Sequence, residues 1–83
     1  MNNMSLLEKM ELVARCDSAE ALKNKDKYVK RYIAGLMYDS GLTAEKVPLA
    51  QWNEAILVFG GKPEDTPGKA HDALMKLLDY KLQ

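Results

Sequence analysis

PLAQWNEAILVFGG, residues 48–61, decides the fold. Its run Ala55, Ile56, Leu57, Val58, Phe59 suits a helix or a buried strand equally well, because large apolar residues in succession erase the periodicity that separates the two. No second segment reads as a strand to pair with it, and an unpaired strand leaves its backbone N–H and C=O groups unsatisfied. The stretch is therefore read as a helix from Pro48 to Phe59. Pro48 takes the first helical position, where its missing N–H costs nothing, and Gly60 and Gly61 stop the helix. On its wheel Trp52 lies with Ile56 and Phe59, which assigns it to the core. Leu57 falls with Asn53 and Ala50, leaving apolar surface for a partner or for a homodimer.

Working outward, Ser5 and Glu8 form a capping box, each side chain reaching a backbone N–H that the first helical turn leaves unpaired. The spacing Leu6, Leu7, Met10, Val13, Ala14 predicts a helix from Leu6 to Cys16. Asp17 or Ser18 caps a second helix of at most two turns. Asp26 caps a third, which ends at Ser40 and Gly41 and buries Val29, Tyr32, Ile33, Leu36 and Met37. Thr43 to Val47 reads as a turn or a single helical turn. Beyond Gly61, Thr66 caps a last helix with Pro67 at its first position and Ala70, Leu74, Leu77, Leu78 and Leu82 on its inner face. The expected fold is all-α: a compact bundle of four main helices plus one short helix around a single core, with residues 1–83 as one domain.

The chain has 83 residues, 47% of them hydrophobic and 29% charged, within the range of ordinary soluble globular domains. A single cysteine, Cys16, rules out an intramolecular disulfide and is read as buried; a reducing cytoplasm is the expected location. The first residues lack the pattern of a signal peptide, and no stretch is apolar enough for a membrane span. The pI of 6.6 argues against a protein that coats polyanions with its whole surface.

Few residues suggest chemistry. His71 is the only histidine and, close to an apolar helix face, reads as a partly buried packing residue; no nucleophile motif accompanies it. One His and one Cys fall short of a zinc site, no Asp/Asn-rich loop suits calcium, and the glycines do not form a phosphate loop. Met4, Met10 and Met37 are read as core fillers. The expectation is a protein that is not an enzyme and takes no cofactor or metal.

Charge is segregated. KNKDKYVKR, residues 23–31, holds five of the twelve basic residues against one acid, in a chain of zero formal charge. On the third helix, Lys27, Lys30, Arg31 and Tyr38 fall within about 100° of arc opposite the apolar stripe, together with Ala34 and Gly35. A glycine inside an exposed helix costs about 1 kcal/mol relative to alanine, so Gly35 implies a packing reason, internal or with a partner. The candidate partner-binding residues are Lys23, Lys27, Lys30, Arg31 and Tyr38, and three readings stay open for them: docking on an acidic protein surface, contact with nucleic acid, or a merely solvated face. A helix-turn-helix over Tyr32 to Phe59 is disfavoured, because the helix that would enter the groove offers no arginine and only Lys46 near its start.

Leu36, Met37, Tyr38 and Asp39, followed by Lys46, Val47, Pro48 and Trp52, resemble the C-terminal part of the Hha/YmoA family of small helical proteins, over less than a third of the chain. The resemblance implies a class, a small helical protein that acts by binding another protein. The functional expectation is a non-enzymatic protein–protein interaction module, accessory, regulatory or inhibitory, docking through its basic helix face on an acidic partner. The alternative is a nucleic-acid-binding regulator using the same face.

Overall fold

Residues 48–61 do fold as a helix and its stop. The computed structural model describes residues 4–39 and 41–80. Its elements are α1 (Leu6–Ala14), α2 (Ala19–Lys23), α3 (Lys27–Asp39), a 3-10 turn (Ala44–Lys46), α4 (Leu49–Val58) and α5 (Pro67–Leu77). Four helices are long and α2 is short, and no strand occurs among the described residues, so the all-α bundle stands. Pro48 is the residue before α4 rather than its first, with ψ 143°. Gly60, at φ 84°, supplies the left-handed turn that ends it.

α4 is the hub, packing on α5, α1 and α2. Trp52, Ala55 and Ile56 are buried on it. The same helix fastens three other segments through consecutive side chains. Gln51 Oε1 accepts from the Leu6 N–H at 3.0 Å, at the start of α1. The Trp52 indole N–H donates to the Ala44 carbonyl at 3.0 Å, in the 3-10 turn. The Asn53 side chain both donates to the Glu64 carbonyl at 3.0 Å and accepts from the Glu64 N–H at 2.8 Å. Around α4 lie Leu6 and Met10 from α1, Leu22 from α2, Ile33 from α3, and Leu74 and Leu78 from α5 and its end.

The caps fall where local chemistry places them. Ser5 Oγ accepts from the Glu8 N–H at 3.2 Å and Glu8 Oε1 accepts from the Ser5 N–H at 2.9 Å. Ser18 Oγ accepts from Ala21, Asp26 Oδ1 from Tyr28 and Val29, and Thr66 Oγ1 from Lys69.

Several boundaries and faces differ from the sequence reading. α1 stops at Ala14, because Arg15 turns into the left-handed region at φ 57° and the Cys16 N–H bonds back to the Glu11 carbonyl. Val13 is partly exposed, and Cys16 is half-buried rather than buried. α5 ends in the same way: Asp79 has φ 60° and the Tyr80 N–H returns to the Met75 carbonyl at 2.9 Å. Met75 joins Ala70, Leu74 and Leu78 in the core, and Leu77 is half-buried. Ser40, at the expected end of α3, and Leu82, on the expected inner face of α5, lie outside the described residues.

Gly61 seals the turn after α4. A β-carbon there would come within 2.7 Å of Leu77 Cδ1 and 2.8 Å of Ile56 Cγ2. Gly61→Ala is expected to destabilise the fold by about 1–3 kcal/mol, which thermal unfolding would register as a drop of roughly 4–8 °C for each kcal/mol.

The capping box also makes stability depend on acid. The Ser5 backbone N–H, and then its hydroxyl, hold the Glu8 carboxyl below its ordinary value of 4.5. A carboxyl lowered in the folded state contributes stability that is present above its unfolded value and is lost as pH falls through the folded value. Urea unfolding between about pH 7 and 3 should therefore show stability declining below the ordinary carboxylate value, and Glu8→Gln should flatten that decline.

Candidate functional site

The basic stretch does not form one continuous free face. Lys23, at the end of α2, and Lys27, at the start of α3, are exposed. The Lys27 ammonium lies 5.5 Å from the centre of the Tyr28 ring. Lys30 is half-buried, with its ammonium 5.6 Å from the Phe59 ring centre. Arg31 is held by Asp79: its Nη2 donates to Oδ2 at 2.6 Å, and its Nε donates to the same oxygen at 3.1 Å and to the Asp79 carbonyl at 3.3 Å. The Tyr38 ring rests 5.8 Å from that of Tyr80. Four of the five predicted residues thus have a partner inside the molecule, and those of Lys30, Arg31 and Tyr38 come from the end of α4 or the segment after α5.

The cause is a rotation of α3. Its buried residues are Ile33, Ala34 and Met37, so the inward direction is turned by roughly 80° from the expected stripe at 100° per residue. Ala34 is fully buried, not a member of an outer face, whereas Tyr32 is 61% and Leu36 39% exposed. A small side chain lets neighbouring elements come close, while the large Tyr32 ring stays at the surface.

The turn of α3 opens a surface that charge counting missed. Between α1 and α3 runs an apolar groove of about 420 Å³, walled by Met10, Leu12 and Val13 on one side and Leu36 and Met37 on the other, with Lys9 as its charged wall residue. Leu12 is 67% exposed. Sequence held one signal for it: Leu12 and Val13 widen the apolar arc of α1 beyond what a single inward stripe requires. Along the outer side of α3, Tyr28 and Tyr32 continue the exposed strip at i, i+4 spacing towards Leu36. Leu57 on α4 is exposed, as its wheel position implies.

Gln51 and Asn53 are engaged within the fold and Trp52 is buried, so α4 works as the centre of the bundle. His71 packs edge-on against Trp52, ring centres 5.4 Å apart, and its Nδ1 lies 3.0 Å from Asp72 Oδ1, an adjacent pair that wheel geometry separates. It borders a shallow cavity with Tyr38 and Glu45. The Glu45 carboxyl is kept below its ordinary value by its own backbone N–H and by the Thr43 hydroxyl. Among the described residues no group of three or more His, Cys, Asp or Glu is placed to hold a metal, and no helix is long and apolar enough to cross a membrane.

Comparison with family models, curated proteins and solved structures gives no match. The short resemblance over Leu36–Asp39 and Lys46–Trp52 gains no support from it.

Gly35 sits half-exposed on α3 without an internal requirement for glycine. Its φ is not left-handed, and an added β-carbon would meet only Tyr80 Cε1, at an ordinary 3.9 Å. Gly35→Ala is expected to raise monomer stability by about 0.5–1 kcal/mol through helix propensity, measured as a higher urea midpoint with an unchanged slope.

Proposed function

We propose that the protein is a small, non-enzymatic interaction module that binds another protein through the groove between α1 and α3, with its exposed lysines favouring an acidic partner. The observation that carries this reading is the groove itself. Contiguous exposed apolar surface rimmed by polar groups marks protein-binding sites, and a trough between two helices accepts apolar side chains from a partner. Met10 and Met37 in its walls are unbranched and adapt to the shape of what enters. Lys9 in the wall supplies the charge preference. The exposed ammonium groups of Lys23 and Lys27 add to it.

Nucleic-acid binding through the α3 cations has less support. The Arg31 charge is matched by Asp79 at 2.6 Å and the Lys30 ammonium is turned onto Phe59, whereas phosphate binding depends on freely presented cations. His71, packed edge-on against Trp52, serves the core in this reading rather than a reaction.

The test uses Leu12→Glu, an exposed change that leaves the core intact. A protein captured by the tagged wild-type chain from its native host should be lost with Leu12→Glu and retained with Leu57→Glu, which alters an exposed leucine on α4. A shift of duplex DNA by the wild-type protein at about 0.1–0.2 M salt, weakening steeply as salt rises, would overturn the proposal.

A further inference from the structure

The apolar stripe of α3 and the direction that the helix buries do not coincide. Val29, Tyr32, Ile33, Leu36 and Met37 centre on a line about 80° from that of the buried Ile33, Ala34 and Met37. The mismatch leaves Tyr32 61% exposed and Leu36, in the groove wall, 39% exposed, while Ala34 is fully enclosed. Burial alone favours turning the larger side chains inward. What opposes that turn lies on the other flank of the helix. Arg31, Gly35 and Tyr38 fall within about 60° of arc, roughly 120° from the buried direction and away from the groove. The segment after α5 meets this line as a strap. The Asp79 carboxylate accepts two Arg31 N–H bonds, at 2.6 and 3.1 Å, and the Tyr80 ring lies 5.8 Å from that of Tyr38, its Cε1 3.9 Å from where a Gly35 β-carbon would stand. The strap is itself anchored, because Leu78 is fully buried and the Tyr80 N–H returns to the Met75 carbonyl at 2.9 Å. The side-chain ties from Gln51, Trp52 and Asn53 go to α1, the 3-10 turn and Glu64, whereas α3 packs on α1.

We infer that α3 has two facings and that the strap, residues 78–80, holds the one in which the groove is open. In the second facing the helix is turned about its own axis by about 80°. Leu36 and Tyr32 then fill the groove against α1, Ala34 comes to the surface, and Ile33 and Met37 stay on the inner half. Arg31 and Tyr38 point into solvent, about 170° from the buried direction, so the strap contacts and the turned facing exclude each other. Two packings separated by a few small terms make a bistable element. A partner seated in the groove binds the strapped facing alone and favours it, and loosening the strap lowers the apparent affinity for that partner. This regulatory consequence rests on the groove being the docking surface; the turn of α3 does not.

Methyl NMR with a soluble paramagnetic agent reads the turn on the protein alone. In the wild type the Leu36 methyls should be strongly relaxed and the Ala34 methyl shielded. Asp79→Asn removes the charge but keeps a residue suited to the left-handed backbone, and should raise the turned population by about fivefold. Tyr80→Ala should act in the same direction, and Arg31→Ala combined with Tyr80→Ala should go furthest. In each variant relaxation at Leu36 should fall as relaxation at Ala34 rises, with Leu57 on α4 unchanged as the internal reference. Two methyls that stay as they are in the double variant would overturn the inference. So would a rise at both, which marks local unfolding of α3, or a fall at Leu36 without a rise at Ala34, which marks a second molecule covering the groove. The turn is read without a partner, so capture that survives Leu12→Glu counts against the groove as docking surface and not against the two facings.

Discussion

Three consecutive side chains of α4 tie the molecule together. Successive positions on a helix point about 100° apart, so Gln51, Trp52 and Asn53 reach in three directions. Each satisfies backbone groups of a different segment: the first N–H of α1, a carbonyl of the 3-10 turn, and both groups of Glu64 before α5. A buried backbone group without a partner is costly, so these bonds fix where the segments lie as well as hold them. Trp52 adds the largest buried side chain at the same point. The order of polar and apolar residues that resembles a surface helix is here the fastening of an interior one.

α3 is held differently. It packs on α1, and its other flank is secured by contacts near the surface: the Arg31–Asp79 pair, Lys30 over Phe59, and Tyr38 against Tyr80. The Arg31 and Asp79 side chains are 43% and 53% exposed, and such a pair contributes at most about 1 kcal/mol. Asp79 reaches it from a left-handed backbone, a conformation unfavourable for residues other than glycine and least so for Asp and Asn. The longest helix thus owes its orientation to several small surface terms together with the burial of Ile33, Ala34 and Met37. Its outward face keeps large apolar side chains in water.

The local parts of the fold were legible in the sequence, because a cap is a contract between residues three apart. Ser5 with Glu8, Asp26 with Val29, and Thr66 with Lys69 need no knowledge of the remainder of the chain. The helix over the run Ala55–Phe59 followed from the absence of a pairing strand. What could not be read was the facing of α3, which is set by a partner 48 residues away in sequence, Asp79, and by the close packing that Ala34 permits. Treating tyrosine as apolar and alanine as neutral turned the wheel the wrong way. The candidate surface moved with it, from a basic face towards an apolar groove. Lys23 and Lys27 kept the exposure expected of them; Lys30, Arg31 and Tyr38 proved to be engaged within the molecule.

The edge-on contact between Trp52 and His71 has a further consequence. The chain has one tryptophan, and its indole is wholly enclosed, with the only imidazole 5.4 Å away. The fluorescence of this protein therefore reports on the point where its segments meet. Its wavelength follows the integrity of the helix hub, because unfolding brings the indole into water. The molecule carries its own optical gauge, sensitive at the point where its segments are joined.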